Sequence, residues 1–258
     1  MLTIERQDEI MEILNRQKSV TVEELAKDLF VSEATIRRDL KSMEKLGLLR
    51  RSHGGAVLYK STADESAFSM REQENTTEKR QIARLAVKFI KNSNSIFMDS
   101  SSTTGMIIPL LERFRDLSVI TTGLRNASKL SQTSNTRIYI AGGLVQNHSN
   151  SILGIDTLEY ISRVHADVAL LSCTGIDMKS GITDASIEQA KVKQQMTKNA
   201  KVVLLLCDHT KFGKTFMCTD FPFSDVDYLI TDKMPPQEYA EAFQEAGCKI
   251  ITPDDFID

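Results

Sequence analysis

Between residues 95 and 252 the chain repeats one pattern, a short apolar run followed by a helical or turn-rich stretch. The runs fall at 95–99, 117–122, 137–141, 167–172, 202–207, 227–231 and 249–252, and amphipathic stretches at 78–91, 157–163 and 188–199 help to separate them. Strands that alternate with helices pair in parallel, and the crossover helices cover both faces of the sheet. Residues 76–258 are therefore expected to form an α/β domain whose mostly parallel sheet is covered by helices. Ligands of such sheets bind at the carboxyl ends of the strands.

The loop after the first run reads Asp99-Ser100-Ser101-Ser102-Thr103-Thr104-Gly105. Five hydroxyls lead into a helix start, where free N–H groups and the helix dipole favour an anion. An ordinary helix cap needs only one of them. Thr122-Gly123, Gly142-Gly143, Asp177 and Asp208 with Lys211 fall at other strand ends. A lysine and several carboxylates converging on an anion cradle suit a phosphorylated sugar, with Lys211 on the phosphate and the acids on the hydroxyls. Taken singly, a Gly-Gly is a turn and an aspartate after a strand is a cap. Asp208-His209 lacks the second spaced histidine or acidic cluster of a metal site, so neither metal nor cofactor is expected. Pro109, early in the helix that follows, is expected to kink it.

The first sixty residues follow another plan. Thr3 can cap a helix to about Arg16 with Ile10, Ile13 and Leu14 on one face. Thr21-Val22-Glu23-Glu24 is a capping box for a second, short helix. Ser32 caps a third that Gly47 ends. In the third, Ile36, Leu40 and Met43 share a side, while Ala34, Arg38, Lys41 and Lys45 lie opposite with Arg37 on one flank. Three short helices with a tight second turn form a helix-turn-helix, which places the last one in the DNA major groove. Thr35, Arg37 and Arg38 are candidates for base edges, and Lys41 and Lys45 for phosphates. Residues 48–51 and 56–59 read as a hairpin through Ser52-His53-Gly54-Gly55, the glycines permitting positive φ. Arg50, Arg51 and His53 make it a basic wing. Thr21 and Ser32, at the helix starts, complete the expected DNA-contacting set.

Net charge is −3, which is unpromising for a nucleic-acid binder until it is resolved along the chain. Residues 1–33 carry −4, residues 34–60 carry +5 and the remainder −4, and a local patch is what the phosphate backbone senses. No apolar run approaches the ~20 residues of a membrane span, and the first residues lack a signal-peptide pattern. Cys173, Cys207, Cys218 and Cys248 show no C-x-x-C spacing, so a reducing cytoplasm is the expected compartment.

Arg6, Ile10, Leu14, Ser32, Thr35, Ile36, Arg37, Arg38, Asp39 and Leu40, with the His-Gly-Gly-Ala wing at 53–56, resemble in kind and spacing the signature of DeoR-type bacterial transcription regulators. Residues 76–258 resemble that family's sensor domain through 99–104, Thr122-Gly123, Gly142-Gly143, Gly175-Ile176-Asp177, Gly181-Ile182-Thr183, Glu188, Lys193 and Asp208 with Lys211-Phe212-Gly213. The resemblance implies a fold similar to ribose-5-phosphate isomerase and glucosamine-6-phosphate deaminase, and adds Asp99, Glu188 and Lys193 to the effector-binding candidates. Most relatives carry Gly-Thr where this chain has Ser101-Ser102; the exchange keeps the hydroxyl and removes backbone freedom.

The organisation expected is a winged helix-turn-helix domain over 1–58, a polar linker over 59–75 docked through Arg71 and Glu72, and a sensor over 76–258. The function expected is a sequence-specific regulator of a carbohydrate-metabolism operon, binding a double-stranded operator as a dimer or tetramer and controlled by a phosphorylated sugar. Relief of repression by ligand is the family's usual behaviour. The competing expectation is an isomerase with Glu188 or Asp177 as the enediol base.

Overall fold

The computed structural model describes residues 3–17, 19–45, 48–52, 54–57, 62, 65–133 and 136–256. Its first elements are α1 (Thr3–Gln17), β1 (Ser19–Thr21), α2 (Val22–Asp28), α3 (Glu33–Lys45), β2 (Arg50–Ser52) and β3 (Gly55–Val57). Ile10, Leu14, Leu25, Ile36, Leu40 and Met43 meet in one small core, so their three- and four-residue spacing has a physical cause. The capping box forms: Thr21 Oγ1 accepts from Glu24 N, and the Glu24 carboxylate accepts from Thr21 N. Ser32 Oγ accepts from Thr35 N at 3.3 Å.

Strand β3 lies between β1 and β2, antiparallel to both. Three-residue β1 escaped the sequence reading because it is too short to show a period. The role given to Gly55 needs correction. It has no positive φ but packs on β1, where a Cβ would stand 2.1 Å from the Val20 carbonyl oxygen. Gly47, His53, Leu58 and Tyr59 lie outside the described residues, as do the side chains of Lys45 and Arg50.

Phe30, in the turn between α2 and α3, holds φ at 54° while 94% exposed. The left-handed region costs an L side chain about 1–2 kcal/mol, and this ring buries almost nothing in return. Phe30→Gly is expected to stabilise the N-terminal unit by about 0.5–1 kcal/mol after the entropy of glycine is subtracted, read as a higher midpoint in thermal unfolding.

The larger domain begins with α4 (Phe68–Gln73) and α5 (Thr76–Ala86). Helix α4 corrects the reading of 59–75 as an irregular linker: its C-terminal part is a helix anchored by buried Phe68. Glu72 does fasten it to the domain, whereas the Arg71 side chain pairs within the same stretch. Arg71 pairs with Glu65 at 2.8 Å, and Glu72 pairs with Lys129 at 2.5 Å.

Then follow β4 (Ser95–Met98), α6 (Ser102–Gly105), α7 (Ile108–Leu111), β5 (Leu117–Thr121), α8 (Leu124–Leu130), β6 (Thr136–Ile140), β7 (Leu144–Gln146), β8 (Ser151–Leu153), α9 (Ile155–Ser162) and β9 (Ala166–Leu171). The chain continues with β10 (Gly175–Asp177), β11 (Gly181–Asp184), α10 (Ile187–Lys198), β12 (Ala200–Leu206), β13 (Cys218–Thr219), β14 (Tyr228–Ile230), α11 (Gln237–Glu245) and β15 (Lys249–Ile251). The seven anticipated runs form one sheet in the order β15-β14-β12-β9-β4-β5-β6. Every neighbouring pair in it is parallel.

Alternate residues of β9 show why the strands read as unbroken apolar runs. Val168 and Leu170 join the core under α5, α7 and α8, while Ala169 and Leu171 join the core under α9, α10 and α11. Pro109 kinks nothing. It occupies the first turn of α7, a separate helix from α6, where a missing N–H is harmless.

Strand β4 stands between β5 and β9. From it the chain runs through β5 to β6 at one edge, then returns to β9 and proceeds to the other. The reversal lies where Asp99 leaves β4 and Ser172 leaves β9, the position at which open α/β sheets bind ligands.

Candidate nucleic-acid interface and ligand cavity

Helix α3 turns Ile36, Leu40 and Met43 into the core and leaves Ala34, Arg37, Arg38 and Lys41 exposed, with Thr35 half-buried. Arg37 is tied to Glu33 at 2.9 Å, and both side chains are about half exposed; such a surface pair breaks at little cost when a phosphate or base competes. Glu44 Oε1 accepts from Arg51 N at 3.0 Å, clipping the wing to α3. The Gly54 carbonyl accepts from Val22 N at 2.8 Å, which holds the other side of the wing to α2. A cleft between α3 and the wing is lined by Arg37, Glu44, Arg51 and Ser52.

Two signature residues have a structural role. Arg6 Nε donates to Asp39 Oδ2 at 2.5 Å, with the side chains only 9% and 4% exposed, and the pair locks α1 against α3. The carboxylate raises the guanidinium pKa against the opposing effect of burial.

On this geometry Arg38→Ala is expected to weaken operator binding by about 1–3 kcal/mol and to relax base preference. Lys41→Ala should weaken all DNA alike and flatten the salt dependence. Titration of cognate and random duplexes at several salt concentrations separates the two.

In the larger domain a cavity of about 110 Å³ opens at the reversal between β4 and β9. Among the expected effector residues, Ser101, Ser102, Thr103, Lys193, Asp208 and Lys211 line it. Ser101 is the plain helix cap, its Oγ accepting from Thr104 N at 3.1 Å. Helix α6 is a single turn, so the dipole expected there contributes little; what the loop offers is hydroxyl groups. Ser102 Oγ donates to the Arg71 carbonyl at 3.0 Å, and the Thr103 hydroxyl makes no hydrogen bond among the described residues.

Asp99 and Thr104 lie behind the cavity. Asp99 Oδ1 accepts from Ser101 N at 2.9 Å and Thr104 Oγ1 at 2.8 Å, while Oδ2 accepts from Ser172 N at 2.8 Å, so one carboxylate stitches both lips of the reversal. Ser100 accepts from Ser151 Oγ at 2.6 Å. The Thr122 carbonyl accepts from Ile152 N at 2.7 Å, and Gly123 opens α8. Gly142 accepts from Thr157 Oγ1 at 2.7 Å, and a Cβ on Gly143 would meet that hydroxyl at 2.2 Å. None of these five lines the cavity, and they shape the loops around it.

Asp177 and Glu188 also lie apart, which corrects their expected role. Asp177 Oδ1 accepts from Lys179 N and Ser180 N in the hairpin turn, bonds that lower its pKa. Glu188 is exposed, bonded to Ser186 Oγ, which lowers its pKa. Neither lines the cavity, so the two residues named for the enediol base in the isomerase reading are not placed there.

Lys193 is buried among three carboxylates. Its Nζ pairs with Asp184, lies 3.7 Å from Asp99 and 3.9 Å from Asp220, and donates to the Ser172 carbonyl at 2.6 Å. Burial alone would lower its pKa, but Asp184, Asp220 and Asp99 raise it well past the ordinary lysine value. Burial and the Asp184 charge push the Asp220 carboxyl well up.

Asp208 is fully buried. Its Oδ1 accepts from Asn75 Nδ2 at 3.2 Å and Thr210 N at 3.0 Å, while Oδ2 has no hydrogen-bond partner among the described residues. Burial opposes its charge, yet Lys211 and the Thr210 hydrogen bonds hold its pKa below the usual carboxylate range. Lys211 makes no side-chain hydrogen bond or ion pair among the described residues.

Several lining residues were missed by the sequence reading: Glu65, Arg71, Asn75, Lys79, Asp184 and Gln189. Lys79 Nζ donates to the carbonyls of Arg71 and Glu74 and to Ser102 Oγ. Burial first, then the nearby Lys211 charge, lowers its pKa to about 8. No His, Cys, Asp or Glu group suited to a metal occurs among the described residues. Nor is any described helix long and apolar enough to cross a membrane.

A winged three-helix head with a cationic outer helix, on the same chain as an α/β domain with a polar cavity at its topological reversal, defines a ligand-sensing DNA-binding protein. Sequence comparison specifies which kind. The DeoR-like helix-turn-helix domain matches residues 6–62 and the DeoR C-terminal sensor domain matches 74–233; the chain belongs to the DeoR family.

It is 35% identical to the HTH-type transcriptional regulator GolR of Listeria innocua over 97% of this chain and 98% of that one. It is 32% identical to the glycerol-3-phosphate regulon repressor of Escherichia coli, over 92% and 93% of the two chains. The HTH-type transcriptional repressor GlcR of Bacillus subtilis is also 32% identical, over 96% and 95%. These relatives are regulators rather than enzymes, and the chain is a DNA-binding transcription regulator. A D-ribose-5-phosphate isomerase in complex with phospho-erythronic acid overlays with a TM-score of 0.37 at 19% identity over 52% of each chain, a likeness too slight to carry an argument.

Proposed function

We propose that this chain is a repressor of a carbohydrate-metabolism operon whose grip on its operator is set by a phosphorylated sugar bound in the cavity at the β4–β9 reversal. One observation carries the reading. Three polar groups of that cavity, the Lys211 ammonium, the Thr103 hydroxyl and Asp208 Oδ2, make no hydrogen bond among the described residues, whereas Lys79 and Lys193 are bonded. A cation and a hydroxyl suit a phosphate, and a carboxylate oxygen suits a sugar hydroxyl. The small volume favours a compact polar solute over the drug-sized ligands of ~300–1,000 Å³ sites. Relatives that control a glycerol-3-phosphate regulon point the same way.

The ligand acts by binding more tightly to the arrangement that holds DNA poorly, because only differential affinity shifts an equilibrium. One helix-turn-helix reads few base pairs, so a dimer or tetramer on repeated half-sites is expected.

A thermal-shift screen of phosphorylated sugars against the full chain tests the reading. Wild type is expected to be stabilised by at least one of them. Lys211→Ala should lose a charge-assisted bond worth about 1.5–3 kcal/mol, roughly 10–150-fold in affinity, with its DNA binding in the absence of sugar intact. An undiminished response in Lys211→Ala would refute the assignment.

A further inference from the structure

Glu65, a residue of this same chain, holds Arg71, the one arginine that lines the cavity among the described residues. Arg71 Nη1 lies 2.8 Å from Glu65 Oε1, and Arg71 Nε donates to the Ser66 carbonyl at 3.0 Å. The other Glu65 oxygen, Oε2, accepts from Gln189 Nε2 of α10 at 2.9 Å. A guanidinium and an amide thus converge on one planar anion, the arrangement by which proteins bind carboxylates and phosphates. The Glu65 and Arg71 side chains are only 10% and 14% exposed, so the pair is far less screened than a surface one.

Glu65 also belongs to the stretch that joins the two domains. Its carbonyl lies 2.6 Å from His148 Nε2, and three residues earlier the Thr62 carbonyl accepts from Met217 N at 3.0 Å. The contact that fills this part of the cavity therefore helps to fasten the connection.

We infer that Arg71 and Gln189 form an anion subsite of the effector cavity, filled in this structure by Glu65, and that the anionic group of an incoming ligand competes with Glu65 for it. The inference rests on the effector reading of the cavity. Lys79, bonded to two carbonyls and to Ser102 Oγ, braces the end of α4 against the hydroxyl loop. Arg71 is the cation whose partner can be exchanged. A ligand anion and the Glu65 carboxylate repel each other at one guanidinium, so entry of the first expels the second and loosens residues 65–67. The exchange supplies the difference between two states of the connection that a ligand-controlled regulator requires.

The test uses the full chain and inorganic phosphate. By calorimetry, Glu65→Gln is expected to bind phosphate at least tenfold more tightly than wild type, and Lys211→Ala more weakly than either. In hydrogen exchange, phosphate is expected to speed exchange of residues 65–68 in the wild-type chain. Equal affinity in Glu65→Gln, or slower exchange at 65–68, with the Lys211 effect present, overturns the competition and leaves the effector reading standing. Phosphate binding that Lys211→Ala does not weaken, or none in any variant, overturns both.

Discussion

Replacing Lys193 by methionine is expected to destabilise the sensor domain by about 3–5 kcal/mol at neutral pH, because it leaves buried carboxylates without their counter-charge. Urea unfolding followed by circular dichroism reads the loss. In the wild-type chain the lysine's pKa lies above its ordinary 10.5. Its contribution is therefore complete below that pH and is lost only as pH rises through the folded value. Asp184 is held below its ordinary 3.8; burial opposes this, but Lys193 prevails. Its share is present above 3.8 and is lost as pH falls through the folded value.

The variant should invert the second dependence. Without the ammonium, burial raises the Asp184 pKa, so the deficit against wild type shrinks on acidification. Adding Asp184→Asn to Lys193→Met should recover part of the loss at neutral pH. An equal deficit from weakly acidic to weakly alkaline pH would mean that packing, rather than charge, is what Lys193 provides.

The second large effect belongs to the DNA-binding head. Asp39→Ala leaves the Arg6 guanidinium between α1 and α3 without its carboxylate, a loss of about 3 kcal/mol. A domain of under sixty residues has little stability in reserve. The head is expected to unfold at a lower temperature in a separate transition while the sensor melts as before, and operator binding should fall with it. Arg6→Met combined with Asp39→Leu, which removes both charges, should restore much of the stability. If Asp39→Ala melts like wild type yet loses DNA binding, Asp39 contacts the operator and the lock between helices is incidental.

How much of this could be read from residues alone varied with length and burial. Strands β4, β5, β9 and β12 were legible because both of their faces are covered along most of their length, so apolar residues dominate them. Edge strand β6 is largely exposed and showed only through its β-branched and aromatic residues. Strands β7, β8, β10, β11 and β13 have two to four residues each, too few to show a period of two. Helix α4 hid for a similar reason, its six residues carrying one apolar anchor, Phe68.

Lys79 carried a signal that was overlooked. It lies three residues before Ile82 and four before Ala83, on the apolar face of α5, where a lysine is buried only if its ammonium is bonded. Lys193 is four residues after Gln189 on the inward face of α10, whereas Glu188 is one residue away from that face and points outward. Asp220 had no signal, since nothing local in Thr219-Asp220-Phe221-Pro222 indicates that it meets Lys193. The hydroxyl loop does border the cavity through Ser101, Ser102 and Thr103, but its division of labour was not legible, because which hydroxyl caps and which stays open depends on the first turn of α6.

The fastening of Thr62 to Met217 has a consequence for the operator itself. Four residues separate Thr62 from Val57, the last residue of the wing strand, and five chain steps reach at most about 18 Å. Each reading head is thus leashed within that radius of its own sensor domain. In the proposed oligomer, any separation of the heads beyond what the leashes and the heads' own width allow comes from the distance between the Met217 anchors of two copies. In that assembly the sensor domains share with the reading helices in setting the spacing of the operator.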